Sequence, residues 1–193
     1  MSRAPLSRRQ LIAGVGISAL VGACGTSPPP RRFILAPRPA ATPLPSTGRI
    51  MIAGVGIAKY LDQPQIVRHS SGYELTAADL ERWGEGMADM VARVLAEDLA
   101  ARLSGSQVFV GDGAATVPAD ASLELYIQNF DADPDGTVIL AARWTIRRGA
   151  GAVRLGSERV AERPASAATS DLVAAMSDAL AKLADRLAPM LAV

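Results

Sequence analysis

The first 23 residues constrain the fold most, because they remove themselves from it. Arg8 and Arg9 precede an apolar run from Leu11 to Val21, and Leu20-Val21-Gly22-Ala23-Cys24 ends it with small residues before the chain's single cysteine. Cationic residues, a short apolar stretch and small residues before a cut are the layout of an export signal. Ser7-Arg8-Arg9-Gln10-Leu11-Ile12 resembles the twin-arginine export motif. Val21-Gly22-Ala23-Cys24 resembles a bacterial lipobox, in which the cysteine becomes the acylated first residue of the mature protein. The competing reading is a transmembrane helix. An apolar run of eleven residues rises only about 16 Å as a helix against a hydrocarbon core of about 30 Å. Gly14, Gly16 and Gly22 lower its helix propensity further.

Cleavage before Cys24 shortens the chain from 193 to 170 residues, a length that suits one domain. Arg3, Arg8 and Arg9 leave with the signal, so the 20 basic residues fall to 17 against 19 acidic ones, a formal charge of −2. A near-neutral chain without a Lys/Arg-rich stretch argues against nucleic acid, whose binding depends on neutralising phosphates. With its one thiol acylated, the protein has no disulfide framework and must survive outside the cytoplasm on packing alone.

Residues 24–48 read as a lipidated tether. Seven of the thirteen prolines fall there (Pro28, Pro29, Pro30, Pro37, Pro39, Pro43 and Pro45), favouring extended chain over helix or core. Phe33-Ile34-Leu35 interrupts it, either as an edge strand or as an apolar spot in a linker. The folded domain is expected over 49–193. A buried strand runs from Arg49 to Tyr60. Gln65–His69 returns through a turn at Ser70-Ser71-Gly72 to Tyr73–Leu75.

Thr76-Ala77-Ala78-Asp79 reads as a capping box, and Leu80, Trp83, Met87, Met90, Val94 and Leu99 form a stripe, so a long helix is expected to start near Thr76. Its charged residues read as a solvated face. The period then changes to two. Gln107–Val110, Leu123–Gln128 and Thr137–Arg147 are strands, the last two antiparallel partners across the acidic turn Asp131–Gly136. A third strand, Val153–Glu162, carries an expected bulge near Gly156, where the alternation falls out of step. A second helix begins near Thr169-Ser170-Asp171. Leu172, Met176, Leu180, Leu183, Leu187 and Met190 form a seam that lies on a sheet or, alternatively, mediates coiled-coil self-association. The fold class is α+β: a single domain, mainly antiparallel sheet, with two long amphipathic helices packed on it.

Candidate chemistry is sparse. Asp131-Ala132-Asp133-Pro134-Asp135-Gly136 matches the start of a calcium loop, but position twelve would be Ala142 rather than a bidentate glutamate, so a tight hairpin is the better reading. His69 is the only histidine, no serine sits in a Gly-x-Ser-x-Gly elbow, and no ligand cluster suggests zinc. Gly54-Val55-Gly56 lacks the third glycine and the following helix of a dinucleotide fingerprint. No catalytic residue, metal or cofactor is assigned. A glycosidase-like carboxylate pair is a matter of three-dimensional separation, which leaves a periplasmic hydrolase as an alternative.

Four segments in order carry a family resemblance: Ala58-Lys59-Tyr60-Leu61-Asp62-Gln63-Pro64-Gln65-Ile66-Val67, Glu81-Arg82-Trp83-Gly84-Glu85, Asn129-Phe130-Asp131 and Leu140-Ala141-Ala142-Arg143-Trp144. From about Phe33 to Met190 the chain resembles the ABC-type transport auxiliary lipoproteins, which accompany MCE-domain lipid transporters. The twin-arginine-like signal departs from the ordinary lipoprotein signal of that family. The resemblance implies a non-catalytic docking subunit facing the periplasm, anchored in a membrane through Cys24. Its partners would be an MCE-domain substrate-binding protein with its ABC permease and ATPase. Candidate partner-binding residues are Tyr60, Leu61, Trp83 and Trp144. In such lipoproteins an aspartate after the cysteine commonly retains the protein in the inner membrane; Gly25 there implies the outer membrane, periplasmic face. A self-assembling envelope lipoprotein is the alternative, with the C-terminal seam as its best feature.

Overall fold

Twelve residues from Ala121 to Ala132 organise the sheet, since other strands pair along both of their edges. The computed structural model describes residues 28–111, 118–149 and 151–192. In chain order the elements are β1 (Arg31–Phe33), β2 (Leu44–Ile57), a short 3-10 helix (Lys59–Leu61), β3 (Gln65–Ser71) and β4 (Glu74–Trp83). Then come α1 (Met87–Arg102), β5 (Leu103–Val110), β6 (Ala121–Ala132), β7 (Val138–Arg148), β8 (Val153–Glu162) and α2 (Thr169–Leu191). β6 runs parallel to β2 on one side, with β5 parallel beyond it, and antiparallel to β7 on the other, with β8 antiparallel beyond that. Past the end of β2, the same side of β6 takes β3 through one pair, Arg68 with Ala132, and β3 brings β4 and β1 with it.

Both helices lie on this sheet, α1 against β2 and β5, α2 against β6, β7 and β8, and each packs on the other. Ile50, Ile52, Leu123, Ile127, Leu140 and Ile146 of the sheet meet Met90, Val94, Leu95 and Leu99 of α1 and Met176, Leu180, Leu183 and Leu187 of α2, all buried. Period two in β6 and β7 puts every second residue under the helices. The fold is α+β in a single domain, and its longest unbroken ladders are antiparallel. The α2 seam is spent on this core, which leaves it no face for a coiled coil.

Three expectations change. The helix expected from Thr76 starts instead at Met87, after Gly86, and Thr76–Trp83 is strand. Thr76 and Ala77 pair with β3, and Glu81, Arg82 and Trp83 with β1, so ladder bonds on two sides outweigh one turn of capping. The bulge expected near Gly156 is absent: the β7–β8 register runs unshifted from Val138 with Glu162 to Arg147 with Val153. Gly156 lies under the Trp144 indole, where a Cβ would come within 2.3 Å of Cζ2. Shifts fall instead within β6, between Ile127 and Asn129, and within β2. Finally, the segment 31–48 does not hang free: β1 pairs with β4, Leu35 is buried, and β2 begins at Leu44. The acidic turn is a tight hairpin, closed by Gly136 N–H on the Asp133 carbonyl at 2.8 Å and by the Asp135 carboxylate on Thr137, with Gly136 at φ 84°.

Candidate functional site

Beyond β1 the chain crosses the groove between the helices as a strap. Leu35 is 1% exposed, and its N–H points at Met90 Sδ at 3.2 Å. Ala36 N–H donates to Ser177 Oγ of α2 at 3.1 Å, and Arg38 N–H to Asp98 Oδ1 of α1 at 2.7 Å. The Arg38 guanidinium reaches Asp178 at 2.7 Å. Beneath it the buried Arg102 binds Asp185 Oδ1 at 2.5 Å, the Asp98 carbonyl at 2.9 Å and the Arg38 carbonyl at 3.3 Å. Burial pushes the Asp98 carboxyl up, while the Arg38 N–H and the Arg102 charge hold it down. Strap and helices thus share one polar network.

A second cluster gathers where β3 meets β6. Phe130 and Ala132 face the core, so Asp131 between them points to the other face, where it is 1% exposed. His69 Nε2 stands 3.2 Å from Asp131 Oδ2, and the His69 ring meets Tyr60 edge-on at 6.3 Å. The Tyr60 hydroxyl accepts from Asn129 Nδ2 at 3.1 Å. Burial raises the Asp131 carboxyl, opposed by the Tyr60 hydroxyl and His69; burial and the Asp131 carboxylate together raise the Tyr60 phenol. A His–Asp pair can move a proton, but no serine, threonine or cysteine side chain hydrogen-bonds either residue among the described residues, so nothing there completes a nucleophile. No group of three or more His, Cys, Asp or Glu is placed to hold a metal among them either.

Beside the start of α2 lies a cavity of about 420 Å³, lined by Arg68, Ala132, Asp135, Arg163, Pro164 and Leu172 among others. Its cations are engaged. Arg68 binds Glu81 at 3.1 Å and Thr169 Oγ1 at 2.6 Å, Thr169 in turn donates to Glu81, and Arg163 lies 3.8 Å from Asp135. The cavity therefore offers shape without uncompensated charge.

The residues expected to bind a partner do not form one surface. Leu61 and Trp83 are core residues, and Trp144 is buried over Gly156 with its indole N–H unpaired among the described residues; Tyr60 is half-buried in the cluster with His69. Cys24, Arg8 and Arg9 lie outside the described residues. Exposed apolar side chains stand elsewhere: Tyr73 at the fully exposed tip of the β3–β4 hairpin, Tyr126 under the Arg143 guanidinium at 5.3 Å, and Val153 and Leu155 on β8. Sequence reading missed the His69–Asp131 pair; a carboxylate within an otherwise alternating strand was its one local signal. No helix among the described residues is long and apolar enough to cross a membrane.

The sequence model of a family described as the ABC-type transport auxiliary lipoprotein component matches residues 33–188. The chain belongs to this family. The match begins at Phe33, where the strap begins, and ends inside α2, so for this auxiliary lipoprotein the strap is part of the family domain. Membership makes it an auxiliary component of ABC-type transport and an envelope lipoprotein. Among solved structures, one titled only as an uncharacterized protein is similar at a TM-score of 0.72 and 16% identity, covering 86% of this chain and 100% of that one. A Xanthomonas campestris protein is similar at 0.66 and 19%, covering 82% and 94%. The PelC dodecamer from Paraburkholderia phytofirmans matches at only 0.47 and 12%, covering 80% and 96%. At these identities the likeness is one of fold. Comparison with curated proteins finds no match.

Proposed function

We propose that this protein is a non-catalytic, lipid-anchored docking subunit of an MCE-type ABC lipid transport system, held at the periplasmic face of the outer membrane. The observation that carries the reading is the family match over 33–188. Acyl chains on Cys24 supply the anchor, each buried CH₂ contributing about 0.8 kcal/mol. Because the chain is docked from Arg31 onward, even full extension would put Cys24 at most about 25 Å from the domain. The domain then works close to its membrane.

Crosslinking and affinity capture from native envelopes, comparing wild type with Cys24→Ala and identifying captured proteins by mass spectrometry, tests this. Recovery of an MCE-domain protein or its ABC subunits, weakened without the lipid, is expected. Recovery of this chain alone, or of unrelated envelope enzymes, refutes the transport role.

A further inference from the structure

The ten residues of β8 form an edge of the sheet, regular along their whole length and free of proline. Native proteins usually blunt such edges, because unpaired N–H and C=O groups invite another strand. Which groups point outward follows from two bonds. Arg148 N–H donates to the Ala152 carbonyl at 3.1 Å, which turns the even-numbered residues toward β7; the Arg159 carbonyl is met instead by Arg186 of α2 at 3.0 Å, on the free side. Val153, Leu155 and Ser157 therefore present their backbone groups to solvent, and Leu155 also leaves its side chain 74% exposed.

We propose that β8 is a homodimer edge: two copies pair β8 with β8 antiparallel about a two-fold axis through Gly156, joining their sheets into one. Charge selects the register. Centred on Gly156, Arg154 stands opposite the partner's Glu158, and by symmetry Glu158 stands opposite the partner's Arg154. Centring on Ser157 puts Arg154 opposite a valine, centring on Leu155 puts it opposite a glycine, and centring on Glu158 brings two glutamates together. The Gly156 register also sets Leu155 against the partner's Ser157, both with outward backbone groups, as a hydrogen-bonded pair requires. Arg154 makes no ion pair among the described residues, so it is available. Glu158, bound to Arg186 at 2.8 Å, keeps a second carboxylate oxygen for the new contact. At the axis the two Gly156 backbones form a non-hydrogen-bonded pair, where Cα atoms approach to about 4.5 Å, and neither carries a side chain to obstruct it.

Sedimentation velocity on the mature acylated protein in density-matched detergent tests the proposal. Wild type is expected to dimerise. Arg154→Glu and Glu158→Arg should each weaken the dimer by about tenfold, and the double swap, made in an Arg186→Glu background so that residue 158 keeps an opposite charge beside it within its own chain, should restore it. Leu155→Pro removes an outward N–H without touching the β7 ladder, and should give a monomer with unchanged circular dichroism. A wild type that stays monomeric at about 0.1 mM, a Leu155→Pro variant that dimerises as wild type does, or a double swap no better than its single parents overturns it.

Discussion

Leu35→Ala separates the strap from the fold. Leu35 is 1% exposed between the two helices, and truncation removes three carbons, about 2.4 kcal/mol of transfer free energy, to which an unfilled cavity adds. The total is about 3 kcal/mol. The strap's other attachments are polar: Ala36 on Ser177, Arg38 on Asp98 and Arg102 on the Arg38 carbonyl contribute about 1 kcal/mol each, and the partly exposed Arg38 guanidinium on Asp178 and the Ala174 carbonyl less. Losing Leu35 therefore removes about half of what docks the strap, and the variant can relieve the cavity by releasing the segment instead of keeping the void. Leu183→Ala deletes the same atoms from the middle of α2 and has no such escape, so it should show the full loss in global unfolding. Hydrogen exchange of the amides in 31–43, alongside urea unfolding followed by tryptophan fluorescence, distinguishes the two. Expected for Leu35→Ala is a loss of strap protection of about 100-fold, with a smaller drop in unfolding midpoint than for Leu183→Ala. Strap amides as slow as in wild type, with a global loss equal to that of Leu183→Ala, would refute the reasoning.

Gly156→Ala forces a Cβ against Trp144 and should cost about 1–3 kcal/mol, lowering Tm by roughly 3–10 °C, whereas Gly54→Ala, with nothing within 4 Å, should match wild type in the same calorimetric scan. Asp131 binds its proton more tightly folded than unfolded, so its contribution to stability is full below its ordinary value of 3.8 and is lost as pH rises through the raised folded value. Asp131→Asn should flatten that part of the decline, which urea midpoints at acid and neutral pH would show; equal slopes in both proteins would sink the assignment. Asp98 is raised in the same direction, so part of the slope persists in the variant. Arg102→Ala leaves Asp98 buried without its cation and should cost about 3–5 kcal/mol, while adding Asp98→Ala should recover part of that in a double-mutant cycle.

Elements whose burial is set by their own period were legible in the chain. The seam of α2 recurs at three and four residues and β6 and β7 alternate, and in each case the apolar positions are those in contact with the core. The start of α1 was misread because Thr76-Ala77-Ala78-Asp79 is a sound local capping signal for a segment that two strands claim. Leu80 and Trp83 fell on a helical spacing by coincidence; Leu80 is exposed on β4, and Trp83 is the last residue of that strand. Gly84 and Gly86, each costing a helix interior about 1 kcal/mol relative to alanine, were the contrary signal. Gly156 was misread for a related reason: it broke the alternation to make room for an aromatic ring on the neighbouring strand, which no local pattern encodes.

What stayed hidden was contact between distant segments. Leu35 meets Met90 across 55 residues, and Arg38 meets Asp178 across 140, while His69 and Asp131 are joined only because β3 crosses to the end of β6. Seven prolines made 24–48 read as free chain, and proline does favour extension there, but an extended segment can also lie in a groove with its few N–H groups satisfied by side chains. The difference bears on function more than on fold. A linker running from Cys24 to Arg49 would let the domain roam about 85 Å from its anchor, whereas one that ends at Arg31 reaches about 25 Å. If β1 and the strap together set that range, then Leu35→Ala molecules in which exchange shows both to be released should crosslink a broader set of envelope proteins while keeping the folded core intact. An unchanged crosslinking pattern, with β1 and the strap both shown by exchange to be free, would mean that reach is limited by the partner and not by this docking.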